Sequence, residues 1–120
     1  MKVIVYNIDQ ENKVLLALAN RKKHKITIIT YPLNETTADF AEAKRAVIII
    51  DHGSQLSENL ILKLLSLGVQ YLIFRSQDHL SADLSFIRNF GLKCIVIEIA
   101  DSRLAVFKII EILDAWEESD

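Results

Sequence analysis

Five short runs rich in β-branched residues alternate along the chain with segments of helical periodicity, a pattern that predicts a parallel sheet covered on both faces. The runs fall at residues 2–7, 25–31, 46–51, 71–75 and 93–98. The third, AVIII from Ala46, is apolar throughout, as a central strand buried on both sides should be. Between the runs, Val14, Leu15 and Leu18 recur at helical spacing in a helix over 11–23, with its charges mostly on the other face. A short helix over 36–44 follows Pro32, which cannot donate to a sheet ladder and so helps end the second strand. Ser57 is placed to cap a third helix whose inward stripe is Leu60, Ile61, Leu64 and Leu67, and Gly68 supplies its left-handed stop. A fourth begins at Ser81 or Asp83 and ends at Gly91 for the same reason.

The last helix, over 103–116, differs from the others. Its polar residues Lys108, Glu111, Asp114 and Glu118 form one narrow stripe, and Leu104, Val106, Phe107, Ile109, Ile110, Ile112, Leu113 and Trp116 occupy the remainder. A helix apolar on most of its circumference is normally buried on two sides, which predicts a second protein surface beyond the sheet. The expected surface is a copy of the same helix in a two-fold homodimer, through Leu104, Phe107, Ile110, Leu113 and Trp116. With right-handed crossovers, short connections and no linker or repeat, the five strands give an α/β domain of flavodoxin-like, three-layer architecture, with strand order 2-1-3-4-5 and helices on both faces.

Composition narrows the class. With 120 residues and 51% hydrophobic side chains, the chain suits one domain over 1–120 with a single core. The 14 basic and 16 acidic residues leave a net charge of -2, which gives no footprint for nucleic acid. The basic cluster Arg21, Lys22, Lys23 and Lys25 sits where cations complement a helix dipole and reads as a solvated helix end, with His24 exposed among them. Cys94, the one cysteine, lies in an apolar strand and reads as a core thiol in a reducing, cytoplasmic protein. The apolar run Val3–Tyr6 is too short for a signal peptide or membrane span, so no membrane partner is expected.

Ligands of an open parallel sheet bind beyond the carboxyl ends of its strands, where the strand order reverses. That rule collects Asn7 and Asp9 after the first strand, Asp51 and His52 after the third, and Ser76, Gln77, Asp78 and His79 after the fourth. Two Asp-His pairs could in principle hold a metal or orient an imidazole for acid/base work. Neighbours in sequence point in different directions, however, and polar residues are ordinary at loop tips, so no metal and no catalytic residue is assigned. Gly53, Gly68 and Gly91 are isolated, whereas a dinucleotide needs closely spaced glycines between strand and helix, and no cofactor is expected. P-loop, serine-elbow and CxxC patterns are absent.

The stretch VQYLIFRSQDHLSADLSFIRNFGLK, residues 69–93, adds a lineage. It resembles the segment of D-lactate dehydrogenases, in the D-2-hydroxyacid dehydrogenase family, where a strand ends in Leu-Arg-Cys-Ala-Gly and Asp-Leu opens a helix closing at Gly-Leu or Gly-Ile. Arg75, Asp83, Leu84, Gly91 and Leu92 match without a gap. Met1 to Tyr6, Leu33 to Ala38 (LNETTA) and Gly68 to Ile73 (GVQYLI) are similar to that family's opening strand, its Leu-Thr-Glu-x-Thr-Ala element and its Gly-Val-Lys-Tyr-Ile-Ala run.

The resemblance implies the family's flavodoxin-like substrate domain without the nicotinamide-binding domain that brings the glycine motif and the catalytic Arg, Glu and His. It also exposes departures. Gln77, Asp78 and His79 stand where the family has Ala, Gly and an aromatic residue, Glu98-Ile99-Ala100 replaces its Pro-Ala-Tyr, and Val106-Phe107-Lys108 replaces its Ala-Glu-His. The implied protein is a stand-alone, catalytically incomplete relative that acts by protein association or small-ligand binding. The alternative is the substrate-binding half of a split dehydrogenase, with a separate coenzyme-domain protein as partner; Asp78 opposes it, because a negative charge beside a bound carboxylate weakens binding. A receiver-like signalling domain with Asp51 as phosphoacceptor and Ser76 as hydroxyl shares the length and sheet, but Asn7 and Ala100 do not fit its acidic pair and lysine.

Overall fold

The computed structural model describes residues 1–50, 57–75 and 84–119. In chain order its elements are β1 (Lys2–Tyr6), α1 (Gln10–Asn20), β2 (Lys25–Ile29), a 3-10 helix (Thr37–Ala41), β3 (Ala46–Ile50), α2 (Glu58–Ser66), β4 (Tyr71–Arg75), α3 (Leu84–Asn89), β5 (Lys93–Ile97) and α4 (Ser102–Ser119). The strands form one parallel sheet of order β2-β1-β3-β4-β5, with Ile4 beside Val47, Val47 beside Leu72 and Leu72 beside Cys94. The architecture is the flavodoxin-like one expected from the alternation of patterns.

Successive strand residues point to opposite faces and so build two apolar layers. Val3, Val5, Ile48 and Ile73 face α1 and α4, where Leu16, Ala105, Ile109 and Leu113 meet them. Ile4, Val47, Ile49 and Leu72 face the 3-10 helix, α2 and α3, where Ala38, Ile61, Leu64 and Ile87 meet them. Local signals act as read: Ser57 Oγ accepts from Leu60 N–H at 3.2 Å and opens α2, and Gly68 and Gly91 adopt φ of +100° and +88° behind α2 and α3.

Several expectations are corrected. α1 ends at Asn20, not near Lys23, because Arg21 and Lys22 turn left-handed at φ 49° and 61°. Its buried line is Asn12, Leu16 and Asn20, while Val14 and Leu18 are 49% and 68% exposed. Two asparagines face inward, Asn20 bonded through both ends of its amide and Asn12 through Nδ2 alone, its buried Oδ1 having no partner. Asn12 donates Nδ2–H to Asp9 Oδ1, and Asn20 accepts His24 N–H and donates to His24 O, both at 2.9 Å. The helix expected over 36–44 is only the 3-10 turn, since Asn34 Oδ1 takes the N–H groups of Thr36 and Thr37 and Thr37 Oγ1 donates to Pro32 O, partners that compete with α-helical bonding.

The larger corrections concern α4 and His24. α1 packs along α4, so the sheet and α1 together absorb most of its apolar circumference. Ile110 and Leu113 are buried in this core, and Trp116 stacks on Tyr71 with ring centroids 4.4 Å apart. These three side chains are occupied within the chain and do not form a free surface. His24 is not exposed: at 3% it is buried between the end of α1 and the end of α4. Its Nε2 lies 2.8 Å from Asp114 Oδ1 and its Nδ1 3.3 Å from Glu117 Oε2. Lys23 Nζ reaches Asp114 Oδ2 at 3.1 Å, and the Met1 ammonium donates to Glu117 Oε1 at 3.0 Å.

Partial burial by itself would raise the Asp114 carboxyl, but the hydrogen bonds from His24 and Lys23 outweigh it and hold the group below its usual range. The N-terminal ammonium does the same for Glu117. Groups depressed in the folded state stabilise it above their unfolded pKa, and that stability is lost as pH falls through their lower folded values. Amide exchange in the last two turns of α4 should therefore rise on acidification below the ordinary carboxylate range before exchange in α2 does, as hydrogen-exchange mass spectrometry would show. Asp114→Asn should cost about 2 kcal/mol at neutral pH in a denaturant titration.

Candidate functional site

The carboxyl edge of the sheet is the expected ligand edge, and its described part is built from strand ends held together by polar side chains. Asn7 follows β1 with φ 63°, a left-handed conformation that asparagine tolerates. Its N–H donates to Tyr31 O at 3.0 Å and its Nδ2–H to Ile50 O at 2.8 Å. Asn7 is thus a strut joining the ends of β1, β3 and the chain after β2. Asp9 is the N-cap of α1, its Oδ1 accepting from Asn12 N–H at 2.8 Å. Asp51, His52, Ser76, Gln77, Asp78 and His79 lie outside the described residues.

Arg75, at the end of β4, is the residue of this edge that position-by-position reading did not single out as chemical. Only 1% of it is exposed. Its Nη2 donates to Ala100 O at 3.2 Å and to Ser102 Oγ at 3.4 Å, tying the end of β4 to the connection between β5 and α4. Nε has no hydrogen-bond partner. No carboxylate among the described residues pairs with this guanidinium, although burying such a charge is costly unless it is well bonded. Its sequence signal was the arginine closing an otherwise apolar strand, YLIFR. Asp101 completes the corner by accepting Leu104 N–H on Oδ1 at 2.9 Å at the start of α4.

The remaining chemical groups are structural. Burial pushes the Cys94 thiol up to about 11, against a smaller opposing pull from Arg88, which keeps it a core thiol rather than a nucleophile. Tyr6, also raised to about 12 by burial, donates its hydroxyl to Thr37 O at 2.7 Å. Among the described residues no group of three or more His, Cys, Asp or Glu side chains could hold a metal ion. No helix among them is long and apolar enough to cross a membrane.

Solved structures place this geometry. The D-lactate dehydrogenase of Salmonella matches with a TM-score of 0.74 at 25% identity, over 84% of this chain and 31% of its own. The apo form of the Escherichia coli enzyme gives 0.74 at 27% identity, over 84% and 32%. This chain has the fold of a D-lactate dehydrogenase domain. D-lactate dehydrogenase from Lactobacillus jensenii, solved with NAD+, matches all of the chain and 40% of its own length with a TM-score of 0.71; at 17% identity it speaks for the fold alone. The chain spans about a third of the length of the first two enzymes. No protein-family model matches the sequence, and no curated protein sequence does.

Two outcomes follow for this edge. Arg75→Met leaves the Ala100 carbonyl without its donor and should lower stability by about 3 kcal/mol, measured by denaturant titration, with α4 opening at its first turn in hydrogen exchange. Elemental analysis of protein purified without added metal should find substoichiometric metal; one equivalent, lost when His52 and His79 are both changed to Ala, would contradict this.

Proposed function

We propose that this domain is a relative of the dehydrogenase substrate domain that carries out no redox chemistry by itself and acts by association with a second copy. The observation that carries the reading is the apolar surface left on the α1–α4 layer. Val14 and Leu18 stand one turn apart on α1, and Leu104 and Phe107, 59% and 55% exposed, one turn apart on α4, the helix packed against it. Exposed apolar clusters of this kind mark interaction surfaces. A standard interface takes about 800 Å² from each partner. Four such side chains supply its apolar centre, with Lys13, Lys108 and Glu111 at a charged rim. A two-fold pairing closes the assembly. Leu104 and Phe107 belong to the interface expected from the sequence; Val14 and Leu18 replace Ile110, Leu113 and Trp116.

Catalytic incompleteness rests on the residues themselves. Isolated glycines offer no phosphate cradle, and Ala100 stands where the resembling family has a tyrosine. The split-dehydrogenase reading draws on the coverage of about a third of each full enzyme and on the retained, buried Arg75, with a separate coenzyme domain docking on the same α1–α4 surface. A receiver-like role draws only on the shared sheet order. Buried, unreactive Cys94 fits a cytoplasmic protein.

Sedimentation at tens of micromolar should show a wild-type dimer and a monomeric Leu18→Asp/Phe107→Asp variant whose thermal unfolding is little changed, because both positions are exposed. A wild-type monomer would sink the association. Calorimetry with NADH and a pyruvate turnover assay should both be silent for the isolated chain. Turnover restored by an added coenzyme-domain protein would favour the split enzyme.

A further inference from the structure

β2 is an edge strand of the sheet, paired on one side only, with β1. Lys25 N–H donates to Met1 O at 3.0 Å in register with Lys2, so Lys25, Thr27 and Ile29 turn their peptide groups towards β1. Ile26 and Ile28 therefore turn theirs outward, and among the described residues nothing bonds to them. β5, the other edge, is closed by contrast. Lys93 N–H donates to Gln70 O, which turns the peptide groups of Cys94 and Val96 outward, and Arg88 of α3 donates Nη2–H to Cys94 O at 3.1 Å. Edge strands are commonly protected by a charge, a proline or a bulge. In β2 the run ITII from Ile26 carries no charge and no proline.

These free groups are self-complementary. In an antiparallel pair, opposite residues alternate between those that exchange both hydrogen bonds and those that exchange none. A two-fold axis beside Thr27 sets Ile26 against the partner's Ile28, and Ile28 against the partner's Ile26, as bonded pairs, with Thr27 facing its own copy as the unbonded pair between them. The side chains of Ile26 and Ile28, partly buried on the α1 face, then cover one another across the seam. The two Lys25 ammonium groups stand at opposite ends of it, about 13 Å apart along the strands and beyond the screening length at physiological salt. α1 shares a core with β1 and β2 through Leu16, Val3, Val5, Ile26 and Ile28. Its copy lies two strand spacings away, about 10 Å, the ordinary distance between packed helices, and the small, exposed Ala17 is on the flank beside β2.

We propose that β2 pairs with β2 of a second copy, antiparallel about an axis at Thr27, so that two five-stranded sheets become one. The seam uses none of Val14, Leu18, Leu104 and Phe107 and does not depend on the association proposed through them. Two five-residue strands bury less than a standard interface, which takes about 800 Å² from each partner, so the seam forms at concentrations on the order of hundreds of micromolar rather than tens.

Cysteine placement reads the register directly, and Cys94 is buried and does not compete. In the Leu18→Asp/Phe107→Asp background at about 0.5 mM, with oxidised glutathione as the oxidant, Thr27→Cys should form a disulfide-linked dimer, because unbonded antiparallel partners stand about 4.5 Å apart at Cα, within disulfide reach. Lys25→Cys, an exposed thiol whose copy lies about 13 Å away, should link at least about fivefold less under the same conditions. Adding Ile28→Pro, which removes a donor that β1 does not use, should reduce Thr27→Cys linking by about tenfold while circular dichroism stays that of the parent. Sedimentation over the same concentrations should show self-association that Thr27→Lys, which sets two like charges face to face at the axis, weakens by about tenfold or more, a check independent of how Ile28→Pro folds. A Thr27→Cys protein that stays unlinked, Lys25→Cys linking as readily as Thr27→Cys, or self-association untouched by Thr27→Lys would each overturn the seam. The first of these would leave β2 to a strand of a different protein. Sedimentation of the wild type at tens of micromolar reads the α1–α4 association by itself, so either idea can fail alone.

Discussion

Two carboxylates on the last helix, Asp114 and Glu117, meet three basic groups from the opposite end of the chain: Lys23, His24 and the N-terminal ammonium. Beside them Trp116 lies flat on Tyr71, the first residue of β4. This joint binds the C-terminal half of α4 to the amino edge of the sheet and to the turn after α1. Because it holds, α4 is a wall of this domain rather than an arm reaching away from it, and Ile110 and Leu113 become core. Exposed carboxylate pairs are usually worth little, but here His24 is removed from solvent, so breaking the contact would strand a buried polar ring.

The opposite edge relies on a different device. Arg75 closes the apolar strand β4 with a charge, and its guanidinium reaches across to Ala100 and Ser102 where β5 gives way to α4. Asn7 does the same between β1 and β3 through Ile50. Both groups therefore act as struts that fix the strand ends at the carboxyl edge of the sheet. A strand framework held in this way fits a fold shared at a TM-score of 0.74 with the Escherichia coli enzyme, while in sequence Gln77, Asp78 and His79 depart from the pattern the chain otherwise resembles.

Two helices against five strands also determine what this face leaves open. The outer sides of α1 and α4 expose Val14, Leu18, Leu104 and Phe107, and the flank of α1 leaves β2 partly bare. The first is a set of exposed apolar side chains on two packed helices. The second is an edge strand whose Ile26 and Ile28 are only partly buried.

Sequence by itself determined the features that are local or periodic. Five β-branched runs gave the strands, a fully apolar AVIII gave the central one, and right-handed crossovers gave the order. Ser57, Gly68 and Gly91 marked helix ends because capping and left-handed φ are properties of one residue and its immediate neighbours. Only the tertiary structure decided which side of an element faces in. Val14 and Leu18 look like a core stripe, but Asn12 and Asn20 take the inward line of α1, their amides bonded to Asp9 and His24. His24 reads as a solvated neighbour of four cations, and a partner 90 residues away buries it. The apolar girth of α4 reads as a subunit interface, and α1 covers most of it from within the chain. Periodicity counts apolar residues around a helix; what covers them is set by contacts between elements distant in sequence, which no local pattern records.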